Sequence, residues 1–232
     1  FFPEPTEPLI KQAAAQGIPV IIINSGGDHY KDLGAIGFIG EDSYQMGYQG
    51  GEVAVKNGVK NGLCINQIAA NPVLEKRCQG YIDAVTKAGG KAKMVILASE
   101  DIGNSQKVQA SVSAMLMQDP TIDGVITLGV AVAVDALESV KAVRATGRKV
   151  DLGTMDLGNT VLEAIDAGDM SFASDQQPFL QGYYGVVIPY MYNKYKMAPS
   201  GITWVGPYMV TKDNAKAVLE VNKTLPGSRG AN

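Results

Sequence analysis

From Phe38 to Ala173, short apolar runs alternate with amphipathic stretches of helical length, and this alternation restricts the chain to very few architectures. The pattern predicts strands over 62–67, 92–98, 124–128, 150–155 and 170–173, separated by helices over 73–88, 105–118, 131–146 and 159–167, with a helix over 43–57 ahead of them. Strands that alternate with helices of this length specify a parallel sheet with right-handed crossovers, an α/β doubly wound fold. Upstream, a helix over 5–16 ends at Gly17, and Ile18-Pro-Val-Ile-Ile-Ile23 reads as a strand buried on both faces. Downstream, polar residues from Ser174 to Gln177 stop the strand, and Pro178 opens a helix over 178–195. This helix carries Phe179, Tyr183, Val186, Val187, Tyr190 and Met191 on one face. The apolar run from Gly201 to Val210 is broken at Gly206-Pro207, where the missing proline donor predicts a bend or a crossing from one sheet to another. The end of the chain reads as a short helix and then, from Pro226, a loose polar tail.

A chain of 232 residues that is 46% hydrophobic can bury a substantial core. Its net charge of -3, with no lysine or arginine cluster, argues against nucleic acid and anionic membranes as partners. No apolar run has the length of a membrane span. Phe1-Phe-Pro-Glu-Pro-Thr-Glu7 lacks the basic start and apolar middle of a signal peptide, so the sequence reads as cut from something longer. Cys64, Cys78 and His29 do not make a zinc site. Cys64 falls in a strand and Cys78 in the helix that follows it, compatible with two core thiols or with one disulfide. There is no nucleophile elbow, no H-E-x-x-H and no nucleotide-binding glycine loop. No catalytic residue, metal or cofactor is therefore expected, and His29 reads as a loop histidine.

The residues that follow the strands carry the functional signal. In an open parallel sheet, ligands bind outside the carboxyl ends of the strands. Asn24, Asn71 with Arg77, Glu100-Asp101, Asp156 and Asp175-Gln176 all stand at or just after such ends. Carboxylates accept, guanidinium donates, and carboxamides do both. That balance suits a neutral polyhydroxy molecule, whereas a phosphate site needs an excess of donors. Each residue also has a purely local use: Asp156 and Asp175 can cap the helices that follow, Asn24 can tie down its turn, and Arg77 can lie on a solvated helix face. An acid–base pair of Asp156 and Asp175 is the enzymatic alternative.

Several motifs, in this order and spacing, resemble one family. They are Gly17-Ile-Pro-Val-Ile-Ile-Ile-Asn24, Ile39-Gly-Glu-Asp42 with Gly47, Arg77-Cys-Gln-Gly-Tyr81, Asp119-Pro with Asp123-Gly-Val125, and Asp156 with Gln176-Gln-Pro178 and Gly182. Over nearly its whole length the chain resembles the sugar-binding periplasmic proteins of bacterial ABC importers, of the ribose and galactose type. These share their fold with lac-repressor-type regulators, whose effector-binding domain is the alternative reading. The resemblance implies two doubly wound lobes joined by three chain crossings, a periplasmic binding protein-like I fold. One lobe is expected over 1–41 with 177–205, the other over 42–176 with 206–232. It implies a monosaccharide or sugar alcohol clamped by hinge closure, contacted by Asn24, Asn71, Arg77, Asp156 and Gln176, with Ser25, Asp101 and Asp175 as further candidates. It also implies a periplasmic location, a membrane permease as partner, a monomer when complete, and an oxidising compartment that would let Cys64 and Cys78 pair.

The sequence departs from the family pattern in three places. About two strand–helix units that open the family ahead of the equivalent of Phe1 are absent, so the first lobe is expected to be incomplete. The chain is then a fragment, or is completed by a partner, and alone it is expected to bind sugar weakly or not at all. No aromatic ring stands near Gly103 and no asparagine near Gly129, leaving ring stacking on a sugar face without a named residue. Ser25 occupies a position where ribose-type members carry arginine, which weighs against ribose.

Overall fold

A computed structural model describes residues 4–229. The chain forms two compact units: Phe1–Asp42 with Gln176–Pro207, and Ser43–Asp175 with Tyr208–Asn232.

In the first unit, helix α1 (Glu7–Ala15) precedes strands β1 (Ile21–Ile23) and β2 (Gly37–Glu41). The second unit takes the chain from α2 (Ser43–Lys56) through β3 (Asn61–Asn66), α3 (Pro72–Lys87), β4 (Lys91–Ile96), α4 (Ser105–Gln118) and β5 (Gly124–Thr127). It continues with α5 (Val130–Arg144), β6 (Asp151–Met155), α6 (Asn159–Ala167) and β7 (Phe172–Asp175). Helix α7 (Pro178–Tyr195) and β8 (Gly201–Gly206) return to the first unit, and β9 (Tyr208–Thr211) and α8 (Ala215–Thr224) belong to the second.

The second unit is the doubly wound sheet that the alternation predicts, in the order β4-β3-β5-β6-β7-β9. All its pairings are parallel except the antiparallel β7–β9 edge. Successive side chains of a strand point to opposite faces. Accordingly Leu63, Ile65, Val125, Leu152 and Ala173 pack with α4, α5, α6 and α8, while Cys64, Ile126, Met155 and Phe172 pack with α2 and α3. On the latter face α2 and α3 meet backbone to backbone. A Cβ on Gly47 would collide with the Arg77 carbonyl, and one on Gly80 with the Tyr44 carbonyl. Beside this seam Cys64 and Cys78 form a disulfide with Cα atoms 5.6 Å apart, so the choice left open by the sequence falls to pairing.

The first unit is a three-stranded parallel sheet, β1-β2-β8, packed by Tyr30, Leu33, Phe38, Ile39, Ile188 and Val205. Two expectations are corrected in it. The apolar run 18–23 is a strand only over Ile21–Ile23, at the sheet edge, with Ile18 and Ile23 exposed rather than buried on both faces. Pro19 within the run has no N–H for a ladder, which shortens the strand. The apolar stripe Phe179, Tyr183, Val186 and Tyr190 of α7 faces solvent, Val186 at 72% exposure, and the helix buries Gln181 and Ile188 instead. The helix is apolar all round, so its pattern could not select the inner face.

The chain breaks at a cis Gly206-Pro207 bond, leaving β8 in one sheet and β9 in the other, as the proline predicts. Strand β7 runs two residues further than expected, taking Ser174 and Asp175 into the ladder, where Asp175 pairs with Tyr208. The tail is held through Arg229 rather than loose; its last residues, 230–232, lie outside those described.

Gly47→Ala should cost several kcal/mol of unfolding free energy, because overpacking against backbone cannot be relieved by a rotamer change. Gly182, with open space around its Cβ direction, should accept alanine with a gain of about 0.5–1 kcal/mol. Replacing both cysteines by alanine should cost about 2–4 kcal/mol. Urea unfolding under oxidising conditions reads all three.

Candidate functional site

In the first unit, Asn24 follows β1 in the left-handed region, with φ of 72°, and its N–H donates to the Ile39 carbonyl at 2.9 Å. Its side-chain Nδ2 donates to Gln176 Oε1 at 3.1 Å and to Gln181 Oε1 at 3.3 Å. Gln181 Nε2 in turn donates to the Gln176 carbonyl at 2.9 Å. The structure thus joins Asn24 and Gln176, far apart in sequence, through a carboxamide the sequence reading did not single out. The available signal was an amide in the first turn of an apolar helix, three residues after Pro178. Gln177 Nε2 donates to the Val205 carbonyl and fastens the same segment to β8. The Ser25 N–H donates to the Ile23 carbonyl at 2.9 Å.

In the second unit each of the remaining candidates ends a strand of one parallel sheet or lies in the segment that follows one. Asn71 caps α3, its Oδ1 accepting from Val73 N and Leu74 N, both at 3.1 Å. Six residues on, Arg77 is 4% exposed, so its expected local alternative, a solvated helix face, does not hold. Its carbonyl is the one against Gly47, which sets how closely α3 can approach α2. Asp156 follows β6 with φ of 69°, and its N–H donates to the Ser174 carbonyl at 2.9 Å. Asp101 forms an ion pair with Lys107 at 3.0 Å. Asp175 is buried at the end of β7, with Arg229 Nη2 at 2.7 Å from its Oδ2.

Two further polar groups on this edge escaped the sequence reading. Gln67, just past β3, donates Nε2 to the Leu128 carbonyl at 3.2 Å, while its Oε1 is buried without a hydrogen-bond partner. Ser174 Oγ is likewise buried and unpartnered. Buried polar atoms are paired as a rule, which makes these two atoms exceptions.

Backbone strain marks the same places. Among the described residues, the non-glycine positions with positive φ are Asn24, Ala70, Asp156, Gln177 and Lys196. The first four are candidate residues or their immediate neighbours. Outside glycine this conformation costs on the order of 1 kcal/mol or more and persists only where the surroundings impose it. His29 Nε2 lies 2.9 Å from Glu7 Oε1 and ties its loop to α1, with no nucleophile in its hydrogen bonding. Among the described residues no group of three or more His, Cys, Asp or Glu could hold a metal ion. No helix there is long and apolar enough to cross a membrane.

The Periplasmic binding protein domain family matches residues 2–195. The chain belongs to the periplasmic binding protein family. A carbohydrate transporter from Acidothermus cellulolyticus 11B, solved in complex with myo-inositol, is 32% identical with a TM-score of 0.84, over 96% of this chain and 75% of its own. An ABC transporter periplasmic solute-binding protein from Actinobacillus succinogenes 130z with bound D-allose is 21% identical, TM-score 0.77, over 91% of this chain and 74% of its own. A periplasmic ribose ABC transporter from Conexibacter woesei DSM 14684 is 16% identical, TM-score 0.79, over 93% and 72%. At the lower identities the likeness is one of fold alone. A comparison with curated proteins finds no match. The periplasmic binding protein fold expected from the sequence is therefore that of this chain, and the chain spans about three quarters of these relatives' length. The family and these relatives are binding proteins.

Asn71→Ala should lose the cap and about 1 kcal/mol of stability, whereas Asn71→Ser, which keeps a neutral capping acceptor, should lose less. Chemical denaturation of the two variants measures this.

Proposed function

We propose that this protein is the solute-binding component of an ABC importer, taking up a monosaccharide or sugar alcohol in an oxidising, extracytoplasmic compartment. What carries the reading is a buried Arg77 with Asp156 on one carboxyl edge, in a fold whose 32%-identical relative holds myo-inositol. A guanidinium donates in a fixed fork and a carboxylate accepts from two hydroxyls, so the pair can grip vicinal hydroxyls on a ring. Gln67, in the same unit, adds a neutral carboxamide, and no cluster of cations favours a phosphorylated ligand. The disulfide supports export, because cytosolic thiols are kept reduced. The same bond counts against the effector domain of a cytosolic regulator. A membrane permease is the partner this role requires, and ligand-driven closure is the mode of action that the family resemblance implies.

Calorimetric titration with myo-inositol and a panel of monosaccharides, carried to millimolar ligand because an incomplete first lobe is expected to weaken binding, should show saturable one-to-one binding of at least one of them. The ligand should be recovered unchanged. Small-angle scattering should show compaction with that ligand. Absence of both binding and compaction across the panel would remove the reading, and turnover of the ligand would replace it with an enzymatic one. Asp156→Ala should weaken binding by about 2 kcal/mol, more than Asn24→Ala, because charge-assisted hydrogen bonds exceed neutral ones. Equal losses would show Asp156 to be misassigned.

A further inference from the structure

The last turn of α8 and the tail after it make polar contacts with the start of α6 and the end of β7. Asn222, in the last turn of α8 and 5% exposed, uses both ends of its carboxamide. Its Nδ2 donates to Asn159 Oδ1 at 3.0 Å, and its Oδ1 accepts from Gly227 N at 3.2 Å. Asn159 is the first residue of α6, directly after the Asp156-Leu157-Gly158 loop. Gly227 lies in the turn that ends at Arg229, whose guanidinium meets the Asp175 carboxylate at 2.7 Å. The same guanidinium lies 5.0 Å from the centre of the Tyr208 ring, and Tyr208 is the ladder partner of Asp175. Asn214 Nδ2 donates to the Tyr208 hydroxyl at 3.4 Å and to the Met209 carbonyl at 3.1 Å.

We propose that Asn222 and Arg229 are positioning residues for the ligand site, and that the tail is a strap fixing the loops that carry Asp156 and Gln176. This rests on the reading that those two residues contact a polyol. The Asp175 side chain is 2% exposed, and a buried ion pair adds little net stability, because desolvation consumes most of its Coulomb attraction. What such a pair does supply is geometry. The planar guanidinium, held by a carboxylate on one side and a ring on the other, fixes Asp175 in direction as well as distance. Gln176 follows Asp175 at once, and the strand carrying Asp175 also receives the Asp156 N–H through the Ser174 carbonyl. Arg229 and Asn222 therefore act on both ligand-bearing loops without touching the ligand. Hydrogen bonds to a small ligand are lost with displacements of well under the length of a bond, so a slack strap weakens binding while the core stays intact.

Amide hydrogen exchange of the ligand-free protein tests the strap without any ligand. In Arg229→Ala and in Asn222→Ala, the Asp156 amide should exchange about tenfold faster, with amides of β3 and β5 unchanged. Arg229→Lys, which keeps the charge but not the fork, should fall in between. The double variant Asp175→Asn with Arg229→Gln leaves no unpaired charge buried, so it reports the same local loosening even where Arg229→Ala fails to fold. In parallel, titration with myo-inositol or the best ligand of the panel should show affinity falling about tenfold in Arg229→Ala with a partial return in Arg229→Lys. Faster exchange spread evenly over the unit, unchanged exchange at Asp156, or unaltered affinity in a locally loosened variant would each overturn the positioning role. A wild-type protein that binds nothing in the panel while its variants loosen locally as stated would overturn the functional reading and leave the strap standing.

Discussion

The direction of the strands is the constraint on which everything else in the second unit depends. From β3 to β7 every connection is a helical crossover that returns the chain in the same sense. Parallel strands cannot be joined by tight hairpins, so each must be left at its carboxyl end and re-entered at its amino end. The polar residues that terminate successive apolar runs are consequently delivered to a single edge, however far apart they lie in sequence. Gln67, Asn71, Asp101, Asp156 and Asp175 share that edge because the hydrogen-bond ladder leaves them no alternative.

The second requirement is the absence of side chains where helices touch. Gly47 and Gly80 let α2 and α3 approach until carbonyls occupy the space of missing Cβ atoms. That approach sets the height of α3 over the sheet, and with it the placement of Arg77, whose own carbonyl lies in the seam. The disulfide holds the same helix to β3. A candidate ligand residue is thus held in position by backbone packing and a covalent bond. The carboxamides of the first unit follow a different logic, in which Asn24, Gln176 and Gln181 orient one another.

Legibility in the sequence follows how local each cause is. The strand–helix alternation of the second unit was readable because its period is imposed by the backbone itself, and the break at Pro207 because a missing donor is a property of one residue. Asn24 and Asp156 stood out because each directly follows an apolar run, whereas Asn71 was read only as a ligand candidate and its capping of α3 emerged from the structure. The edge position of β1 and the exposed stripe of α7 were not readable, since burial depends on what packs against a segment and apolar residues surround α7 on every side. Gln67 and Gln181 look like any polar residue until tertiary structure places them. Arg229 was hidden in a stretch whose proline and glycines read as loose, because its partner Asp175 lies in a different element.

The central claim is that the carboxyl edge of the second sheet is where this protein meets a neutral polyol. Backbone amide chemical shifts recorded during a titration with myo-inositol test it most directly. The account predicts the largest, saturating changes at Gln67, Arg77, Asp156 and Gln176, with the amino-terminal edge around Lys60, Asp123 and Asp151 unmoved. Saturating changes confined to that opposite edge, or to the exposed face of α7, would contradict it.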